Sequence, residues 1–292
     1  MRYYSFTVTT SNRSIKNLLR THLFMGKGRI RSLKNGEDRL FLNGSSAKLN
    51  QIAKIGDIIK VDLDDFAGEN LATPCNAPLN FVYEDEDIFV LDKSGDIATQ
   101  GPPEIENQRT IAGAFAHHFG KDKAFHPVNR LDKGTSGLMI IAKNGYIHDR
   151  FRADLHEELR RSYLAITSFK PPEIEGKIEA PLIREQSASL KRVVDEKGDY
   201  ALTYYKTLGK FGKYYLVSVM PYTGRTHQIR AHFAHIGCPL LGDWMYGKEE
   251  KEIISRPALH SHTLCFIHPL SGEKMSFTSE LPEDMARLLK EE

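Results

Sequence analysis

The sequence predicts an α+β protein, a small basic unit followed by a larger one organised around a mixed, mainly antiparallel sheet. Three observations predict it. Most segments between Ser162 and Val219 alternate apolar and polar residues, the period of strands with one buried face, with Pro171-Pro172 and Gly198 as punctuation. Apolar residues at helical spacing occur in short stretches that follow a capping side chain. From Asp64 to Pro78 the periodicity stops and acids, Gly68, Pro74 and Pro78 take over. The two units are therefore placed at residues 1–64 and 79–292, with a linker at 65–78.

In the first unit the opening residues Met1 to Val8 alternate like a strand. Ser14 can cap a helix whose Ile15, Leu18, Leu19 and Leu23 share a face, with Arg13, Lys16 and Arg20 on others. Lys27, Arg29, Arg31 and Lys34 then fall within a segment almost free of acids, the composition of a phosphate-facing surface. Arg39 to Gly44 reads as a strand ending in an Asn-Gly turn, and Ile55 to Leu63 as a turn followed by an alternating strand.

In the second unit Leu79 to Asp92 is two apolar strands around an acidic turn, most simply a hairpin. Thr110 can cap a short helix through Ile111, Ala114, Phe115 and His118. The small-residue turn Gly134-Thr135-Ser136-Gly137 leads into a buried strand at Leu138 to Ala142. Asn144 can cap a longer helix with an apolar stripe of Ile147, Phe151, Leu155 and Leu159, and Glu283 to Lys290 closes the chain as a helix.

Composition bounds the function. With 40% hydrophobic and 27% charged residues the chain belongs to soluble globular proteins, and its net charge of +2 requires any footprint for nucleic acid to be local. Three widely spaced cysteines, Cys75, Cys238 and Cys265, argue against a disulfide framework and for reduced thiols in the cytoplasm. No stretch approaches the roughly 18 apolar residues of a membrane span, and no secretory leader is expected. His232, His235 and Cys238 are spaced by threes, but Gly237 and Pro239 break the helix before the third, so no metal site is expected.

The chemistry is expected between Phe125 and Lys143, where Arg130 and Asp132 stand just ahead of the small-residue turn. The string Arg130-Leu-Asp-Lys-Gly-Thr-Ser-Gly-Leu138 resembles the signature of the RluA-type pseudouridine synthases, which isomerise uridine in RNA to its C-glycoside. Asp92-Lys93-Ser94-Gly95 is similar to that family's K-P-x-G loop, with Ser94 for Pro, and Arg161-Ser162-Tyr163-Leu164-Ala165 to its K-x-Y-x-A strand, with Arg161 for Lys. Thr223-Gly-Arg-Thr-His-Gln-Ile-Arg-Ala-His232, Gly242-Asp243 and Tyr246-Gly247 resemble its downstream block. The family usually has His where this chain has Asn129. Ahead of residue 79, two short basic helices, a strand ending in Asn-Gly and a Gly-Asp turn into a last strand resemble the S4 RNA-binding fold.

The resemblance implies a pseudouridine synthase fold behind an S4-like RNA-binding unit, acting on ribosomal or transfer RNA without metal or organic cofactor. It implies Asp132 as the catalytic carboxylate, acting on C1′ as nucleophile or by stabilising oxocarbenium charge. Arg230 is then its ionising partner, and Tyr163 covers the uracil and handles the C5 proton. Asn129, Arg130, Arg225 and His227 are expected to meet the substrate RNA near the site, and Lys27, Arg29 and Arg31 to meet it from the basic unit. Asp243 is expected to brace the loop that ends at Tyr246-Gly247. The reading makes the protein a monomer that requires no protein partner and no membrane. Its competitors are a non-catalytic RNA-binding or ribosome-assembly factor on the same scaffold and a hydrolytic RNA glycosidase. The latter wants a second carboxylate about 5 to 9 Å away, which no other motif acid offers.

Overall fold

The alternating segments of the first sixty residues form one small sheet. Its strands are β1 (Tyr3–Thr7), β3 (Leu40–Leu42), β4 (Ser45–Ser46) and β6 (Ile58–Asp62), in the order β1-β6-β3-β4. A second ladder pairs β2 (Arg13–Ser14) with β5 (Ile52–Ala53). The computed structural model describes residues 2–10, 13–33, 39–64, 70–101, 109–153, 158–186 and 189–290. Helix α1 (Ile15–Thr21) starts where expected, with the Ser14 hydroxyl accepting from the Asn17 backbone N–H, and α2 (Lys27–Ser32) follows. The hairpin turn between β3 and β4 places Asn43 and Gly44 at positive φ, as its Asn-Gly sequence predicts.

The second unit is built on a ten-stranded mixed sheet. Along the chain come β7 (Phe81–Glu84), β8 (Ile88–Lys93), α3 (Ile111–Phe119), β9 (His126–Pro127), β10 (Ser136–Ala142), α4 (Gly145–Ala153) and β11 (Arg160–Thr167). Then follow β12 (Glu175–Glu179), β13 (Leu182–Arg184), β14 (Arg192–Val194), β15 (Leu202–Phe211), β16 (Tyr214–Pro221) and α5 (Gln228–His235). β17 (Leu259–Ile267), β18 (Lys274–Thr278) and α6 (Glu283–Ala286) end the chain, the last continuing into a 3₁₀ turn at Arg287–Leu289. The sheet runs β12-β15-β16-β11-β17-β10-β8-β7, with β18 on β17 and β9 on β10, while β13 and β14 form a separate hairpin. β10 and β17 pair in parallel, and the other described strand pairings of this sheet are antiparallel.

Both faces of the central strands are covered, which is why β8 and β10 read as unbroken apolar runs. Phe89, Leu91, Met139 and Ile141 face one layer, filled by Ile111 and Phe115 of α3 and Ile229 and Phe233 of α5. Ile88, Val90, Leu138, Ile140 and Ala142 face the other, filled by Tyr146, Ile147 and Phe151 of α4. α4 is shorter than its sequence stripe in the described residues. Leu155 lies outside them, and Leu159 follows the helix, half-buried against the same layer, because the chain must already enter β11 at Arg160.

This second layer does not stop at the predicted linker. It is continuous with the core of the N-terminal sheet, taking in Phe6, Ile15, Leu19, Ile59 and Leu63. Polar contacts fix the junction. The Arg2 guanidinium donates to both oxygens of Asp87 at 3.0 and 3.1 Å and pairs with Glu86 at 2.5 Å, while the Arg2 backbone binds Leu63 and Asp64 at the end of β6. The described part of the linker lies along α3: the buried Asn70 donates to Ala112 O, and the Cys75 N–H to Gly113 O. A side chain at Gly113 would meet Thr73 O at 2.5 Å, so only glycine admits this approach. Among the described residues no helix is long and apolar enough to cross a membrane.

Candidate active site

The signature loop is held at both ends before any substrate is considered. On its N-terminal side the Asn129 amide accepts from Ile140 N at 2.8 Å and donates to Leu138 O at 3.4 Å, folding the loop back on β10. Thr99 binds both backbone groups of the buried Leu131, donating to its carbonyl at 2.7 Å and accepting from its N–H at 3.1 Å. On the far side Gly134 donates to Gly95 O at 2.8 Å, and its carbonyl receives the Arg256 guanidinium at 2.7 Å. Gly137, at φ 104°, opens β10 so close to the Ser261 backbone that no Cβ would fit. Between these anchors Asp132 is partly open, its side chain 27% exposed.

Three of the predicted residues gather on that carboxylate. Arg230 of α5 is buried and places one terminal nitrogen 3.7 Å from Asp132 Oδ2, and His227 places Nε2 at 3.8 Å from the same oxygen. Tyr163, on β11, is close enough for the Asp132 charge to help set its pKa. Burial raises that pKa, so the phenol keeps its proton, with its hydroxyl hydrogen-bonded to Ser261. The β11–β17 register slips by one here, so Ser261 rather than His262 faces Tyr163.

Arg230 pairs with Asp132, as expected, but its principal partner is Asp243. Its Nε and the other terminal nitrogen each lie 2.8 Å from an Asp243 oxygen. A guanidinium buried this deeply needs a permanent counter-charge, and Asp243, fully buried, supplies it. Asp243 also accepts from Met245 N and Tyr246 N, so it braces the loop as expected and the arginine as well. Burial opposes the charge of Arg230, but the hydrogen bonds and charge of Asp243, helped by Asp132, outweigh it and raise the pKa.

His227 stands at the N-cap of α5 with φ 55°, a left-handed backbone uncommon outside glycine and a sign of a position fixed by its surroundings. Its Nδ1 is 3.2 Å from the Tyr246 hydroxyl, which already accepts from Arg192 N. With the Tyr246 proton given to Nδ1, the neutral imidazole carries its own proton on Nε2, facing Asp132. Burial, with the Arg230 charge, lowers the His227 pKa, and burial pushes the Tyr246 hydroxyl up to about 12.

The remaining predicted residues divide. Arg130 is exposed beside Asp132, with no ion-pair partner among the described residues. Arg225 sits on the surface, its Nε on Tyr200 O at 3.1 Å and a terminal nitrogen 3.7 Å from Asp199. Asn129 is not an RNA-facing group, because it is buried and its amide is engaged by β10. Arg29 likewise acts as a strut, donating to Leu63 O and Asp64 O, whereas Lys27 and Arg31 are exposed on α2. Lys34 lies outside the described residues. Both ring nitrogens of His232 are engaged, by Thr203 Oγ1 and Ala180 O, and Cys238 Sγ bonds to Lys170 O, so these side chains are parts of the scaffold.

Sequence reasoning missed three supports. Lys93 is buried, with Nζ on Ser94 O and Ile97 O, and it shapes the turn whose Gly95 carbonyl holds Gly134. Burial, with the Arg256 charge, pushes its pKa down to about 7 against the pull of Asp132 and Asp96. Arg256 joins Gly134 O to Asp284 of α6 through a bidentate pair at 2.7 and 2.8 Å. Thr99 is the third. Only Lys93 left a signal, a charge in register with the buried Phe89 and Leu91 of its strand.

A carboxylate with one oxygen directed at a guanidinium and an imidazole, beside a buried phenol, can attack or stabilise an electrophilic carbon while a proton is relayed nearby. Asp243 cannot serve as a second catalytic acid, since it is fully buried and engaged with Arg230.

Known proteins share this arrangement of sequence. Residues 87–235 match the family described as RNA pseudouridylate synthase. A Bacillus subtilis protein called uncharacterized RNA pseudouridine synthase YjbO is 34% identical over 92% of this chain and 96% of its own length. A Zymomonas mobilis protein named ribosomal large subunit pseudouridine synthase D is 34% identical over 74% of each chain. The solved structure of human RNA pseudouridylate synthase domain containing 4 is similar in fold, with a TM-score of 0.57 at 21% identity, over 72% of this chain and 91% of that one.

Proposed function

This chain belongs to the RNA pseudouridylate synthase family, and on that premise we propose that it isomerises a uridine of large-subunit ribosomal RNA, with Asp132 as the catalytic carboxylate. In the reaction the N1–C1′ bond breaks, the uracil turns, C5 joins C1′, and the C5 proton is lost while N1 regains one, so that product and substrate are isomers. Asp132 acts on C1′, as nucleophile or by stabilising oxocarbenium charge. Arg230 presents positive charge to it, and Tyr163 is the residue assigned to cover the flipped uracil, with its hydroxyl as proton relay for C5. Extruding the nucleotide costs a few kcal/mol at roughly this scale, which contacts from Arg130, His227 and Arg225 offset.

The ribosomal assignment rests on the names of relatives such as the Zymomonas mobilis protein. The two short helices and the hairpin of the N-terminal unit support an S4-like reading, in which the exposed Lys27 and Arg31 are its contacts to RNA phosphates. The protein works in the cytoplasm as a monomer.

The observation that carries this reading is Asp132, partly open to solvent at a mouth where Arg230 and His227 converge on one of its oxygens. The Asp132→Asn protein is expected to bind ribosomal RNA transcripts normally and to release no tritium from uridine labelled at C5. Release at the wild-type rate would overturn the assignment.

A further inference from the structure

A cavity of about 760 Å³ is lined by Lys133, Gly134 and Ser136 of the loop that carries Asp132, and the reaction just described leaves it without a role. Its walls are neighbours of the reacting groups. Lys133, the residue after Asp132, forms one side, and Trp244, the residue after Asp243, another. Trp244 is 56% exposed, although a tryptophan is more often largely buried.

The cavity's charge narrows what it can hold. Of its cations, Arg256 is neutralised by Asp284, and Lys93 is turned into Ser94 O and Ile97 O. That leaves Glu280, together with Asp92, one oxygen of which accepts from Ser279, and Asp96, one oxygen of which accepts from Ser94 and which also feels the Arg109 charge, against Lys133. Such a surface repels a phosphate inside while admitting one beside Lys133. A flat neutral ring bearing hydrogen-bond donors suits the carboxylates and the indole face together. Its size also fits, since ligand pockets commonly run from about 300 to 1,000 Å³.

We propose that this cavity binds a nucleobase next to the isomerised uridine in the RNA, stacked on Trp244 and selected for an exocyclic amino group. Adenine, cytosine and guanine carry that donor, and uracil does not. The proposal rests on the pseudouridine synthase reading and adds to it a reader of neighbouring sequence. Stacking on an aromatic side chain supplies the affinity, and the carboxylates supply the preference.

Trp244 is the only tryptophan of the chain, so its emission reports the site directly. The test titrates full-length Asp132→Asn protein, which separates binding from turnover, with poly(A), poly(C) and poly(U). Saturable quenching by poly(A) and poly(C) at concentrations well below those needed for poly(U) is expected. In the otherwise wild-type enzyme, Trp244→Ala should raise KM for C5-tritiated ribosomal RNA by about 10-fold, more than it lowers kcat, and Trp244→Phe should recover most of that loss. Emission that stays constant while anisotropy of labelled RNA reports binding would overturn the proposal, and so would equal quenching by poly(U). Quenching is read even if Trp244→Ala does not fold. Absence of tritium release by the wild-type protein would instead strike the function proposed above, leaving the quenching result to stand or fall separately.

Discussion

Arg230 and Asp243 meet side by side, each guanidinium nitrogen of the pair 2.8 Å from its own carboxylate oxygen, deep in the protein. This geometry leaves one terminal nitrogen for Asp132 at 3.7 Å. The positive charge near Asp132 is thereby independent of substrate.

Asp243→Asn should therefore damage the protein twice. Leaving a buried guanidinium without its counter-charge is expected to lower stability by about 3 to 5 kcal/mol, read as a reduced urea midpoint. Activity should fall as Arg230 turns to its remaining partner. An unchanged midpoint would show that Asp243 is not the stabilising partner described here.

Thr99→Val tests whether the loop must be held from behind. The substitution keeps the shape but leaves the Leu131 N–H and C=O without their hydroxyl partner, a loss of about 1 to 3 kcal/mol. Because Leu131 precedes Asp132, kcat should drop more than KM rises; equal RNA binding with a full kcat would refute this.

Lys93 gives the stability a pH signature. Its folded pKa, about 7, is far below the ordinary lysine value of 10.5, so between these values the unfolded chain binds more protons than the folded one. Stability from this group therefore rises with pH across that window and is at its lowest below pH 7. Relative to Lys93→Met, the wild type should gain about 1.4 kcal/mol per pH unit from pH 7 toward 10, measured by denaturant unfolding at each pH. A difference that does not change with pH would exclude a Lys93 pKa lowered by burial.

Arg2 and Asp87 should couple. A double-mutant cycle with Arg2→Met and Asp87→Asn is expected to give an interaction energy of about 1 kcal/mol, since Asp87 is buried while Arg2 is only half so. Additive effects would mean that the contact does not hold the two units together.

Much of this was legible in the letters. The caps at Ser14 and Thr110, the Asn43-Gly44 turn and the covered strand β10 follow from local chemistry, and the structure has each of them. Asp132, Tyr163 and Arg230 could be named because short strings around them resemble a known family. The Asp243 pair could not be read, because 13 residues and a helix end separate it from Arg230 and any nearby acid was an equal candidate. Thr99 and Arg256 act over 32 and 122 residues on backbone groups, and backbone partners leave no trace in side-chain patterns. Asn129 misled for the converse reason: a polar residue in a motif suggests a ligand, whereas here it satisfies two buried backbone groups.

The apolar layer shared between the N-terminal sheet and α4, secured at Arg2, removes the swivel that a tether would allow. Lys27 and Arg31 on one side and Asp132 on the other are then mounted like the jaws of a gauge. On the proposed function, an RNA gripped by the first pair could offer to Asp132 only a base lying at one set span along its folded contour. A protein so constructed would pick its target by length as well as by letter.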